Sequence, residues 1–373
     1  MLFQLLFFAS SFIGCFYLVP IFIRIANKFS IYDCPDIRKQ HLHKTPFLGG
    51  LAIVMSFFIS LGLVFPVSFV RPAYSNVLYI TLFLIFLIGL GDDIFNYSAK
   101  KKLFFQLLLS GMLIYKGGFQ LPIEELFPDL QLAPVVGFCI ALILITMVIN
   151  AINLIDGADG IAASFALIAT LFYSYIFYIG GEAFYCSMAL TLSGGLSAFL
   201  LFNRPPAYIF MGDAGSLFVG MALSIFSFHF IEQGKSFTAF TLSSRVILSF
   251  SLLSIPIMDM IRLFFTRMLN GKSPFYADNN HIHHLMKQLG FTPKQITLLL
   301  FIFQLLIVGL AALSMDKSWI GFLLISICIY VLVIQIIRQL ITYKNKNIAT
   351  SVNKSNSHQD TYTEHKIAYL AEK

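Results

Sequence analysis

The fold class predicted by this sequence is all-α: a polytopic membrane helix bundle of about eleven transmembrane helices, with its N-terminus outside. Three observations predict it. The composition is strongly apolar, with 58% hydrophobic and 12% charged residues among 373 and a mean hydropathy of +0.82. Apolar runs of near-spanning length follow one another along almost the whole chain. Lys and Arg crowd into alternate gaps between those runs.

The composition excludes an ordinary soluble domain, in which about 25% of residues are charged. A helix needs roughly 20 apolar residues to cross the hydrocarbon core. Runs that meet or approach this length occur near 2–23, 48–70, 74–91, 103–116, 134–149, 161–179, 184–202, 214–231, 246–264, 296–314 and 318–340. The first lacks the basic n-region and small-residue cleavage site of a signal peptide, so it is expected to remain as a helix. Cys15, Cys34, Cys139, Cys186 and Cys328 are scattered, without the paired spacing of a zinc or redox site, and read as core filler.

Orientation follows from the basic residues, because short loops rich in Lys and Arg stay cytoplasmic. The even-numbered gaps hold few, chiefly Arg71, Lys116, Lys235, Arg245 and Lys317. The odd-numbered gaps hold Lys28, Arg38, Lys39 and Lys44, then Lys100, Lys101 and Lys102, then Arg204, then Arg262, Arg267, Lys272, Lys287 and Lys294. The C-terminal tail is therefore inside. Residues 1–343 form the transmembrane domain, and 344–373 form a polar cytoplasmic tail expected to be disordered or loosely helical. The net charge of +7 is explained by attraction to anionic headgroups, without nucleic acid.

On that topology four polar segments share the cytoplasmic face: GDDIFNYSAKKK (91–102), NAINLIDGADG (150–160), FNRPPAYIFMGDAGS (202–216) and DNNHIHH (278–284). Each has a bland reading. Asp92 and Asp93 could mark a helix end meeting water, NAINLIDGADG a capped turn between spans, and Asp213 an N-cap. Together they concentrate carboxylates, amides, imidazoles and lysines in one place, as a polar pocket at the end of a helix bundle would. Clustered Asp with Lys and Arg suits an anionic phosphate bridged by a divalent cation, since hard oxygen ligands hold magnesium and basic side chains take the remaining charge. Three histidines without a thiolate argue for phosphate chemistry over zinc.

The motifs GDD (91–93), NAINLIDGADGIA (150–162), FMGDAGSLFVG (210–220) and HIHH (281–284), with DCPDIRKQHLHKTPFLGG (33–50), resemble those of the polyprenyl-phosphate N-acetylhexosamine-1-phosphate transferases. The resemblance runs in order from the first span to the last and omits only the tail. It implies transfer of a sugar 1-phosphate from a UDP-sugar to a polyprenyl phosphate, releasing UMP, as the first membrane step of cell-surface glycan synthesis. It also implies roles. Asp92 would orient or deprotonate the lipid phosphate, with Asp93 in support. Asn153 and Asp213 would coordinate Mg²⁺, with Mn²⁺ as an alternative. Asn150, Asp156 and Asp159 would shape the nucleotide side, Asn96 and Lys102 would contact phosphate, and His281, His283 and His284 would contact the sugar or its phosphate. The form HIHH is that of the WecA-like branch, whereas HHHFE marks the branch using UDP-N-acetylmuramoyl-pentapeptide. The expected partners are thus UDP-N-acetylglucosamine or a related UDP-N-acetylhexosamine, undecaprenyl phosphate and the bacterial inner membrane, with a homodimer left open.

Two other classes share single features. Tyr32-Asp33 ahead of Gly89-Leu90-Gly91-Asp92 mimics the aspartate pair of an intramembrane aspartyl protease, but Asp33 lies in a polar loop and DGADG and HIHH would go unexplained. A secondary transporter would place its carboxylates near the midplane among internal repeats, and the sequence has neither.

Overall fold

The computed structural model describes residues 2–32, 45–65, 71–129, 133–233, 236–274, 276 and 280–371. Residues 33–44 of the first polar loop, Lys235 and Asp278 lie outside them. Thirteen helices occur among the described residues: α1 (Leu2–Phe29), α2 (Gly49–Val64), α3 (Ser75–Phe95), α4 (Ala99–Gly117), α5 (Ile123–Leu126), α6 (Pro134–Ile155), α7 (Ile161–Ile179), α8 (Ala183–Asn203), α9 (Gly212–Glu232), α10 (Leu242–Leu269), α11 (Ile282–Leu289), α12 (Pro293–Leu313) and α13 (Trp319–Ala371). The chain is a polytopic helical membrane protein, and nine of these helices are long and apolar enough to cross a membrane. Each of the eleven apolar runs has a helix in its described part, the 48–70 run contributing α2 over Gly49–Val64. The other two are α2, with 16 residues, and α4, whose first turn carries Lys100, Lys101 and Lys102.

Local signals set several boundaries. Ser98 accepts from the Lys101 N–H to cap α4, and Gly118 ends that helix in the left-handed region at φ +75°. Thr292 and Gln295 form a reciprocal capping box ahead of α12, with Pro293 in its first turn. Of the two expectations for the tail, disordered or loosely helical, the structure has the helical one over 344–371. Residues 344–371 continue α13 without a break, giving one helix of 53 residues, about 80 Å at 1.5 Å per residue. No Gly or Pro follows Gly321 within it, so nothing in the sequence stops the helix.

The bundle is organised around α9, which is buried along its length and packed by α2, α3, α6, α7 and α10. Two glycines permit the closest approaches. A Cβ on Gly89 of α3 would lie 2.3 Å from the Asp213 backbone oxygen, and one on Gly220 of α9 would lie 2.7 Å from Ile149 Cα on α6. Without side chains at these positions the helices meet backbone to backbone, as is common where membrane helices pack. Both contacts set the register of the polar residues one turn further along. Asp92 and Asp93 come three and four residues after Gly89, and Asn153 comes four after Ile149, so all three arrive at the N-terminus of α9.

The loop entering α2 is tied to the same end. Phe210 N–H donates to Pro46 O at 2.7 Å, and the Gly49 and Gly50 N–H groups donate to Phe210 O and Met211 O at 2.9 and 2.7 Å. At the other end of α9, buried Arg245 donates to the Ile231 carbonyl and so satisfies a terminal acceptor of the helix.

Candidate active site

The first turn of α9 collects the polar residues of three helices. No side chain within α9's own N-terminal segment caps it. Asp93 does so from α3: its Oδ1 accepts from Asp213 N–H at 2.8 Å and its Oδ2 from Ala214 N–H at 2.9 Å. A carboxylate here satisfies two orphan donors and opposes the positive end of the helix dipole. Asp93 thereby fixes the direction of Asp213.

Asp213 stands at the centre. Its Oδ2 accepts from Lys102 Nζ at 2.8 Å, and the same ammonium donates to Asp92 Oδ2 at 2.8 Å. Its Oδ1 accepts from Asn153 Nδ2 at 2.9 Å, and that amide nitrogen also donates to Ser216 Oγ at 2.9 Å. Lys102 is available because α4 starts only a few residues after α3 ends, so its first turn faces the last turn of α3. One turn further along α4, buried Gln106 accepts from Asn150 Nδ2 at 2.6 Å, which pins α6 to α4 one turn from Asn153. Asn150 is thus turned toward the α4 contact and the Thr146 carbonyl.

Asp156 ends α6 at the C-cap. Burial, then the nearby charges of Asp213, Asp93 and Asp159, push its carboxyl well above the usual carboxylate range. Asp159 Oδ2 accepts from Ala207 N–H at 3.0 Å, joining the α6–α7 turn to the α8–α9 loop. Asn96 is exposed and closes α3 in the left-handed conformation at φ 50°; the structure does not bring it into the cluster.

The histidines gather at the start of α11, beside the α6–α7 turn. His283 is buried, its two ring nitrogens make no hydrogen bond among the described residues, and its Cε1 and Nε2 would lie 3.3 Å from a Cβ on Gly157. Burial and the neighbouring His284 and His281 hold its imidazole well below its usual pKa, so it is neutral. The His283 and His284 ring centroids are 4.3 Å apart. His281 is held from below: its Nδ1 lies 2.9 Å from Asp259 Oδ2 on α10. Asp259 is almost fully buried and also accepts from Arg262 at 2.6 Å and Tyr330 Oη at 2.8 Å.

Sequence reasoning missed Gln106, Ser216, Asp259 and Tyr330. Asp259 had a signal: a carboxylate inside the 246–264 apolar run is costly unless paired. Gln106 and Ser216 had only helical spacing, four residues from Lys102 and three from Asp213. Tyr330 sits in an apolar helix remote in sequence, and no local pattern marks it.

The arrangement is an acidic pocket at one end of a helix bundle, in which Asp92 and Asp213 share the ammonium of Lys102, with Asp93 on the α9 backbone and Asp156 at the end of α6 beside them. Comparison with known proteins agrees with its motifs. The glycosyl transferase family 4 model matches residues 75–231, which include Asp92, Lys102, Asn153 and Asp213. A probable undecaprenyl-phosphate N-acetylglucosaminyl 1-phosphate transferase of Bacillus subtilis is 31% identical over 337 residues, covering 89% of this chain and 90% of that protein. The undecaprenyl-phosphate alpha-N-acetylglucosaminyl 1-phosphate transferase of Escherichia coli K12 is 26% identical over 298 residues, 78% of each chain. The protein of the same name from Salmonella typhi is 26% identical over 311 residues, covering 80% of this chain and 82% of its own.

Proposed function

The chain belongs to glycosyl transferase family 4, and on that premise we propose that it transfers N-acetylglucosamine 1-phosphate from UDP-N-acetylglucosamine to undecaprenyl phosphate, releasing UMP. The observation that carries this reading is the Asp92–Lys102–Asp213–Asn153 constellation at the mouth of α9. Phosphoryl transfer asks a protein mainly for positioning and charge neutralisation, and this pocket offers both.

The residues fit a divalent cation. Asp213 brings a carboxylate and Asn153 an amide oxygen that takes no part in either of its hydrogen bonds, two hard donors side by side. Among the described residues no group of three or more His, Cys, Asp or Glu forms a closed metal cage. Magnesium does not need one, because it keeps several waters and shares substrate phosphates with one or two carboxylates. Bound by Asp213 and Asn153, magnesium or manganese would neutralise charge on the pyrophosphate and on the departing UMP.

The protein's own groups do the rest. Asp92 orients the lipid phosphate and accepts its proton, so that a phosphate oxygen attacks the β-phosphorus of the UDP-sugar. Lys102, already bridging Asp92 and Asp213, offers its ammonium to the phosphate oxygens that enter between them. Asp93 keeps Asp213 in place through the α9 N-terminus. The α6–α7 turn, with Asp156 and Asp159, bounds the nucleotide side, and His281, His283 and His284 face the sugar phosphate beyond Gly157. Counting α2 and α4 as spans gives eleven crossings. The site end of the bundle then faces the cytoplasm of a bacterial inner membrane, where UDP-sugars are made.

The test is a forward assay on purified protein with undecaprenyl phosphate, magnesium and UDP-sugars labelled in the hexosamine. Label should enter the lipid fraction from UDP-N-acetylglucosamine, with one UMP released per product. Label that stays in water, or transfer that needs no lipid phosphate, would refute the assignment.

A further inference from the structure

Behind the α6–α7 turn a second groove opens at the same end of the bundle, with a volume of about 630 Å³. Two cations line it, Arg204 at the end of α8 and Lys294 in the first turn of α12. Both are exposed, no carboxylate lines the groove, and neither cation has an ion-pair partner among the described residues. The hydroxyls of Ser164 and Thr297 turn inward, donating to Gly160 O at 2.6 Å and Asp159 O at 2.9 Å. The groove's free donors toward an incoming group are therefore the two cations and the exposed Tyr208 hydroxyl, a set that suits an anion.

One wall is apolar and continues along a membrane-spanning helix. Leu298 and Phe301 line the groove, and Ile302 and Leu305 extend the strip on the same face of α12 at helical spacing from Leu298. Leu298 is 58% exposed, and Ile302 and Leu305 are each 44% exposed. Paired cations at the end of a span, above an exposed apolar stripe, match an amphiphile with an anionic head and acyl chains. A water-soluble anion would gain nothing from the stripe, and a zwitterionic lipid little from two unpaired cations.

We propose that the Arg204–Lys294 groove binds the phosphate headgroup of an anionic membrane phospholipid, whose acyl chains lie along Leu298, Ile302 and Leu305. This site is separate from the carboxylate pocket and does not depend on the catalytic reading. Because Ser164 and Thr297 tie the groove's floor to the backbone of Gly160 and Asp159, the bound lipid would brace the turn that carries Asp156.

Native mass spectrometry of the full chain, released from detergent with titrated phosphatidylglycerol, reads the first lipid bound. Each lost cation should weaken it about fivefold, so Arg204→Gln/Lys294→Gln together should weaken it about 25-fold. Lys100→Gln/Lys101→Gln removes the same charge from the same end of the bundle and should change it less than threefold. Arg204→Lys should retain most of the affinity, which separates charge from damage to the α8 terminus. Equal losses in the two double variants would reduce the effect to diffuse surface charge and overturn the site. Phosphatidylcholine binding as tightly as phosphatidylglycerol would overturn it too. So would a loss confined to undecaprenyl phosphate, which would make the groove a substrate path instead.

Discussion

Asp92 and Asp93 are neighbours in sequence with different work. Asp93 has both oxygens on the backbone of α9, whereas Asp92 shares Lys102 with Asp213. Asp93→Asn removes the charge that opposes the α9 dipole and one of its two acceptors. It should cost about 1 kcal/mol and lower Tm, with activity falling as Asp213 loses its support. Asp92→Asn leaves Lys102 paired with Asp213. Its Tm should stay close to that of the unsubstituted protein while kcat falls at least about a hundredfold, the usual worth of a positioned acid or base. Melting curves and turnover on both variants check this, and a stable, inactive Asp93→Asn beside an unstable, active Asp92→Asn would invert the roles. The adjacent aspartates are visible in the sequence but this division is not, because which carboxylate meets α9 is set by Gly89 in another turn of α3.

At the scale of elements, α9 is the axis on which α3 and α6 are registered, and Gly89 and Gly220 are the places where that register is held. Gly89→Ala puts a methyl 2.3 Å from the Asp213 carbonyl, a distance no packed Cβ tolerates, so α3 must shift outward. A displacement near 1 Å costs about a hundredfold in positioned chemistry. The variant should therefore lose about that factor in kcat/KM while still folding into membranes, and unchanged turnover would show that the α3–α9 contact does not set the site. The helices themselves are legible in the sequence because apolar runs of this length leave the backbone little alternative in lipid. The convergence of the four polar segments is legible too, since alternating Lys and Arg put them on one face. Contacts between distant elements are not. Asn150 spends its amide on Gln106, and Asp259 with Tyr330 supports His281 from α10 and α13, pairings that no local spacing encodes. Asn96 carries a phosphate-contact expectation from its place in the GDDIFN run, yet its backbone serves to end α3. Polarity leaves the tail open between disorder and a loose helix, because polarity by itself does not end a helix that lacks Gly and Pro.

In the proposed reaction a soluble sugar nucleotide and a membrane-bound lipid meet at a single end of the bundle, so the molecule as a whole is one-sided. Lys101 and Lys116 lie at opposite ends of α4. In an otherwise cysteine-free protein, a cysteine at position 101 should react with impermeant reagents only from the cytoplasm and one at 116 only from outside, and reversed labelling would turn the site away from the cytoplasmic UDP-sugar pool. The most direct measurement is exchange of labelled UMP into UDP-N-acetylglucosamine by purified protein. Reversal of a direct attack by lipid phosphate requires the lipid-linked sugar, so exchange should appear only after undecaprenyl phosphate is added, and should vanish in Asp213→Ala. Exchange without the lipid, or exchange undiminished in Asp213→Ala, would contradict the account.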